Sequence, residues 1–137
     1  MSAIDLAVSR LSNEEGFRGT AYRDSVGKLT IGYGCNIDAG WSLGLARSVL
    51  NYQTGDVADA ISAFWWSKGL DDARLSVIID LAFNMGMSGL LHFPKMLAAI
   101  GAQNWQAAHD ELLDSDAARM LPKRYQALAQ ILLSGIA

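Results

Sequence analysis

The sequence predicts an α+β fold, with a small β-hairpin lobe near the N-terminus and a larger helical lobe around a cleft. Three observations predict it. Apolar residues alternate with period two only between Ala21 and Cys35. Before and after that stretch they recur at three- and four-residue spacing. Serine, aspartate, proline and glycine stand where such segments would start and stop.

Ser2 to Glu15 reads as a helix. Ile4, Ala7, Val8 and Leu11 share one face, and Ser2 with Asp5 matches a cap and its partner. Gly16 and Gly19 end it. In the hairpin, Leu29, Ile31 and Tyr33 alternate with Lys28, Thr30 and Gly32, and Ser25-Val26-Gly27 supplies the turn. Asn36–Gly40 is a loop. Ser42 caps a helix through Leu50 that restarts or kinks at Gly55 and runs on to Trp66. Asp71 or Asp72 caps the helix containing Leu75 to Phe83, apolar nearly all round and therefore buried on most sides. Helices over Phe93–Ile100, Trp105–Leu113 and Pro122–Ser134 follow, with Pro122 as a starter and Gly101 and Gly135 as stops. The small lobe is expected over about 12–55, the helical lobe over about 1–11 plus 56–137.

At 137 residues, 51% of them hydrophobic, one domain with a real core is expected. Net charge is −3, with five basic and seven acidic residues in 1–66 and six and seven in 67–137. Neither half is a basic surface, which argues against nucleic acid as a partner. Cys35 is alone, so no internal disulfide forms, in keeping with a reducing compartment. Met1–Leu6 lacks the features of a signal peptide, and no apolar run is long enough to span a bilayer. His92 and His109 lack a second ligand at metal spacing, so no metal and no cofactor is expected.

The chemistry concentrates between Asn13 and Gly34. Glu15 ends a helix, Asp24 lies in a polar turn, and Thr30 follows on a strand among glycines. Two carboxylates and a hydroxyl on different elements suit acetal hydrolysis. One acid protonates the leaving oxygen, and a carboxylate attacks or activates water. Partial burial of Glu15 would keep it protonated. Glu14 is turned by about 100° toward another face.

The stretch Glu15-Gly16, Ala21-Tyr22-Arg23-Asp24, Gly27, Thr30-Ile31-Gly32-Tyr33-Gly34 closely resembles the phage-type lysozymes, the T-even phage lysozyme family of muramidases. In that family a Glu, an Asp nine positions on and a Thr six beyond form the catalytic set; Glu15, Asp24 and Thr30 fit both intervals. Phe83-Asn84-Met85-Gly86, Leu90-Leu91-His92-Phe93, Asn104-Trp105 and Pro122-Lys123-Arg124 extend the likeness over nearly the whole chain.

The resemblance implies inverting hydrolysis of the β-1,4 bond between N-acetylmuramic acid and N-acetylglucosamine in peptidoglycan. Glu15 would be the general acid, with Asp24 and Thr30 positioning water. It implies substrate contacts at Gly34, Asn36, Phe83, Asn84, Met96 and Glu111, and an Arg124 that pairs with Glu15. It also implies a monomeric endolysin held in the host cytoplasm and released to the wall through a holin-type partner.

The chain departs from the T-even pattern in four places. A short loop, Asn36–Trp41, replaces a longer insertion. Cys35 stands where that form has a His, Met96 and Glu111 where it has Ser and Asn, and Ala117 where a Trp is usual. Two further readings follow. One is a wall amidase or peptidase using Cys35 as nucleophile. The other is a lysozyme fold that binds peptidoglycan without turnover. A transglycosylase is a close variant of the leading reading. Cys35 itself reads as a small residue packed between lobes, and Trp41, Trp65, Trp66 and Trp105 read as packing residues.

Overall fold

The structure, a computed structural model, describes all residues 1–137. The chain divides into two compact units, Met1–Val49 and Leu50–Ala137.

In the N-terminal unit, α1 (Ala3–Glu15) opens on the predicted cap. The Asp5 N–H donates to Ser2 Oγ at 3.1 Å, and the Ser2 N–H donates to Asp5 Oδ2 at 2.9 Å. The exchange satisfies two amides that a helix start leaves orphaned. The Ser2 hydroxyl, with its backbone N–H, holds the Asp5 carboxyl below its ordinary pKa. Gly16 ends the helix at φ +71, where a side chain would be strained.

An antiparallel sheet of order β1-β2-β3 follows: β1 (Arg18–Arg23), β2 (Leu29–Gly32) and β3 (Cys35–Asn36). Tyr22 pairs with Thr30 and Arg23 with Leu29. The expected hairpin is present but begins earlier, at Arg18, and gains a third strand where a loop was expected from Asn36. Pairing of Thr30 with Asn36 and Ile31 with Cys35 creates β3. Two residues are too few to carry a periodicity signal. Cys35 is exposed on this strand, which corrects its reading as a packed residue. Trp41, half-exposed, is likewise no core residue. Thr30 is the unit's one buried residue.

Helix α2 (Leu43–Ser62) starts where Ser42 Oγ accepts from the Leu45 N–H at 3.1 Å. It passes Gly55 without the expected kink and stops short of Trp66. A 3₁₀ turn, Trp65–Ser67, takes the two tryptophans in different directions. Trp66 is buried and stacks on Phe64 with ring centroids 5.4 Å apart. Trp65 stays largely exposed, its ring lying over Gly101 so closely that a Cβ there would clash.

Five more helices complete the C-terminal unit: α3 (Asp72–Leu90), α4 (Pro94–Gly101), α5 (Trp105–Leu113), α6 (Asp116–Met120) and α7 (Pro122–Ser134). Ser115 caps α6, which the periodicity did not reveal because five residues span little more than one turn. Helix α3 runs longer than expected and breaks at Gly86, whose φ of +77 and ψ of 162 are not helical. Helix α5 packs on α4 and α7, and α3 and α6 also pack on α7. Val77, Ile78 and Leu81 of α3 meet Ile100, Leu112, Tyr125 and Leu132 in one core, as the all-round apolar pattern of α3 predicts.

Arg74 ties three helices of this unit together. Its Nε donates to Leu132 O at 2.7 Å and its Nη2 to Leu133 O at 2.9 Å, satisfying carbonyls that the end of α7 leaves free. Its Nη1 meets Asp71 Oδ2 at 2.6 Å, and its guanidinium lies 4.1 Å from the Trp105 ring centroid. The Arg74 N–H, more than the guanidinium, holds the Asp71 carboxyl below its ordinary pKa. A lysine can keep the charge but not the planar fork. Arg74→Lys is expected to lower the unfolding free energy by about 1–2 kcal/mol. A urea midpoint equal to that of the wild type would contradict this.

Candidate functional site

In the N-terminal unit, Lys28 joins two of the three predicted catalytic residues through its backbone. The Lys28 N–H donates to Asp24 Oδ1 at 2.8 Å, and the Val26 N–H reaches the same oxygen at 3.0 Å. The Lys28 carbonyl accepts from the Asp24 N–H at 2.9 Å and from Thr30 Oγ1 at 2.9 Å. Asp24 closes the turn with its side chain, as aspartate does in such loops. Its Oδ1 is thereby engaged, leaving Oδ2 open. Thr30 is buried and gives its only hydroxyl hydrogen to Lys28. A water at Thr30 would find acceptor lone pairs, not a donor.

Glu15, the third predicted residue, reaches the far end of the same hairpin. A Cβ placed on Gly34 would lie 3.0 Å from Glu15 Oε2 and 3.4 Å from its Cδ. Gly34 also has φ +77, so the backbone conformation requires glycine there, and a Cβ would press the Glu15 carboxylate aside. Glu15 is exposed, which corrects the expectation of partial burial. It ends α1, and none of that helix's residues is buried.

Asn36 orders the next turn: its Oδ1 accepts from the Asp38 N–H at 3.0 Å. Asp38 Oδ2 accepts in turn from the Leu29 N–H at 2.9 Å and lies 3.9 Å from Arg23 Nη1. Asn36 therefore already has a structural duty for its carbonyl oxygen.

In the C-terminal unit, Arg124 takes a partner that the sequence reading did not name. Its Nη2 donates to Asp80 Oδ1 at 2.6 Å, and that bond raises the guanidinium pKa further. The two line a hollow of about 270 Å³ with Leu50, Thr54, Ser76, Ile79 and Phe83. Phe83 is half-exposed rather than core. Asp80, Phe83 and Asn84 stand at i, i+3 and i+4 of α3, so helical spacing carried a signal for Asp80. Asn84 is exposed and accepts from the Tyr125 hydroxyl at 2.9 Å.

Met96 and Glu111 line a second hollow, about 420 Å³, with His92, Lys95, Asp114 and Arg119. Met96 is only 1% exposed and belongs to the core, so it forms floor rather than an open contact. Ala117 packs against the same core. The two histidines have local partners: His92 Nδ1 lies 2.7 Å from Ser88 O, and His109 Nδ1 lies 2.8 Å from Asp110 Oδ1. The His109 side chain is the main cause of a lowered Asp110 pKa.

Burial pushes the Tyr125 phenol above its usual range. The folded state thus favours the neutral phenol. That contribution is complete below the unfolded tyrosine value near 10 and is lost as pH rises through the folded value. The wild-type urea midpoint is therefore expected to fall more steeply above about pH 10 than that of Tyr125→Phe. Parallel curves would remove Tyr125 as the cause.

No single helix is long and apolar enough to cross a membrane. A comparison with curated proteins returned no match. The family model described as phage lysozyme matches residues 12–129, which include every candidate residue from Glu15 to Arg124. That family supports a muramidase- or endolysin-type function in general, with glycoside hydrolysis as the reaction class and peptidoglycan as the substrate. With the match covering most of the chain and the hairpin holding its polar residues as described, the chain belongs to the phage lysozyme family.

Proposed function

We propose that the protein is an endolysin that hydrolyses the β-1,4 bond between N-acetylmuramic acid and N-acetylglucosamine with inversion. Glu15 is the general acid, and Asp24 and Thr30 hold the attacking water. The observation that carries the reading is the Lys28 junction, which binds Asp24 and Thr30 to the backbone of one residue while leaving Asp24 Oδ2 open.

The chemistry divides as follows. Covered by the bound polymer and so withdrawn from water, Glu15 passes its proton to the glycosidic oxygen as the bond to the anomeric carbon breaks. A water gives one O–H to Asp24 Oδ2 and the other to the Thr30 lone pairs. Its oxygen attacks the anomeric carbon from the face opposite the leaving group, and Asp24 takes its proton. Gly34 leaves room for the Glu15 carboxylate. In the C-terminal unit, Phe83 and Asn84 are exposed and offer groups to a wall polymer. Release to the wall through a holin-type lesion, and action as a monomer, complete the proposal.

Inversion makes a specific prediction. The newly formed reducing end should appear first as the α-anomer, followed by slower mutarotation. Proton NMR during digestion of soluble glycan fragments reads this directly. A β-anomer formed first would indicate a retaining enzyme. A product with no reducing end would indicate a transglycosylase.

A further inference from the structure

Tyr125 is completely buried, yet its hydroxyl needs a partner. It finds one across 41 positions of sequence, donating to Asn84 Oδ1 at 2.9 Å. The first turn of α7 delivers Tyr125, and the last turn of α3 before the Gly86 break delivers Asn84. Asn84 is exposed, so its other amide end is open to a ligand.

The two ends of that amide are not equivalent. If it were turned over, Nδ2 would donate to the phenol oxygen. The phenolic hydrogen would then lack an acceptor at a buried position, the costly arrangement for a polar group. The oxygen therefore faces Tyr125, and the two Nδ2–H donors face outward.

We propose that Tyr125 is a positioning residue that fixes Asn84 as a hydrogen-bond donor, so that this part of the surface recognises a carbonyl acceptor on the wall polymer. The acceptor is either the acetamido oxygen of a sugar or a peptide carbonyl of the stem. The polymer's identity rests on the proposed function; the orientation of Asn84 does not.

The test is sedimentation of the full chain with purified peptidoglycan, and with the same material stripped of stem peptides. Wild type, Tyr125→Phe, Asn84→Asp, Asn84→Ala and the Tyr125→Phe/Asn84→Ala double variant are compared. Tyr125→Phe keeps the ring and removes only the donor. It should weaken binding about 3- to 10-fold, the range of one neutral hydrogen bond. Asn84→Asp keeps an acceptor for Tyr125 but removes the outward donors, and should weaken binding at least as much. The double variant should bind no more weakly than Asn84→Ala, because the phenol then has nothing to position.

Wild-type affinity in Tyr125→Phe or in Asn84→Asp overturns the proposal, as do losses that multiply in the double variant. A loss on both materials assigns the acceptor to the acetamido group; a loss on intact material alone assigns it to the stem peptide. Release of reducing ends is scored on the same samples. Binding with the Tyr125 effect but no released ends upholds the positioning role and removes the hydrolase reading. No binding by the wild type overturns the role.

Discussion

Glu15→Gln is expected to lower the rate of reducing-end release from peptidoglycan by about 10²- to 10⁴-fold, the range attributed to one general acid. Glutamine matches the shape of glutamate and can still lie against Gly34, but it has no proton to give the leaving oxygen. Glu15 is exposed and makes no core contact, so the variant should unfold at the wild-type urea concentration. Sedimentation with purified wall should be nearly unchanged. A loss of rate with binding and stability intact is the signature of chemistry, because uniform binding and transition-state stabilisation then separate. Glu14→Gln serves as the control, since one helical position rotates a side chain by about 100°. Comparable turnover by wild type and Glu15→Gln would remove Glu15 from the mechanism.

Leu81→Ala should produce the largest loss of stability, about 2–5 kcal/mol. Leu81 is 0% exposed and sits in α3 at the centre of the C-terminal core, beside Val77, Ile78 and Ala82. Truncation removes the transfer free energy of the deleted carbons and leaves a cavity that tightly packed helices cannot fully close. Against a typical total of about 5–15 kcal/mol, that is a large fraction. Phe83→Ala, two positions on and half-exposed, should cost far less despite the larger side chain. Urea unfolding with unchanged slope measures both variants. A Leu81→Ala loss below about 1 kcal/mol would mean that α3 is not the centre of the core.

The parts of the fold that could be read from sequence were those whose cause lies within a few residues. The Ser2–Asp5 cap, the Asp71 cap of α3, Pro122 at the start of α7 and Gly135 at its end each depend on neighbours in the chain. Features created by distant pairing were hidden. β3 exists only because β2 lies beside it, and α6 is too short to show a period. Arg74 finds its carbonyls 58 and 59 positions away, and Arg124 finds Asp80 at a separation of 44. Gly86 was visible, but a break and a tolerated interior glycine look the same in sequence.

The candidate site divides in the same way. Glu15, Asp24 and Thr30 were legible from their intervals. What holds them was not, because a backbone group has no letter in the sequence. The same holds for Tyr125, whose position reads as an ordinary core aromatic until its hydroxyl is followed to Asn84.

The Lys28 junction has a practical corollary. Its N–H and carbonyl do the holding, while its own side chain is exposed. Position 28 is therefore a dial: acidic, neutral or basic residues can be installed beside the Asp24 turn to tune its local field. Proline alone is barred, because it would erase the amide that anchors Asp24.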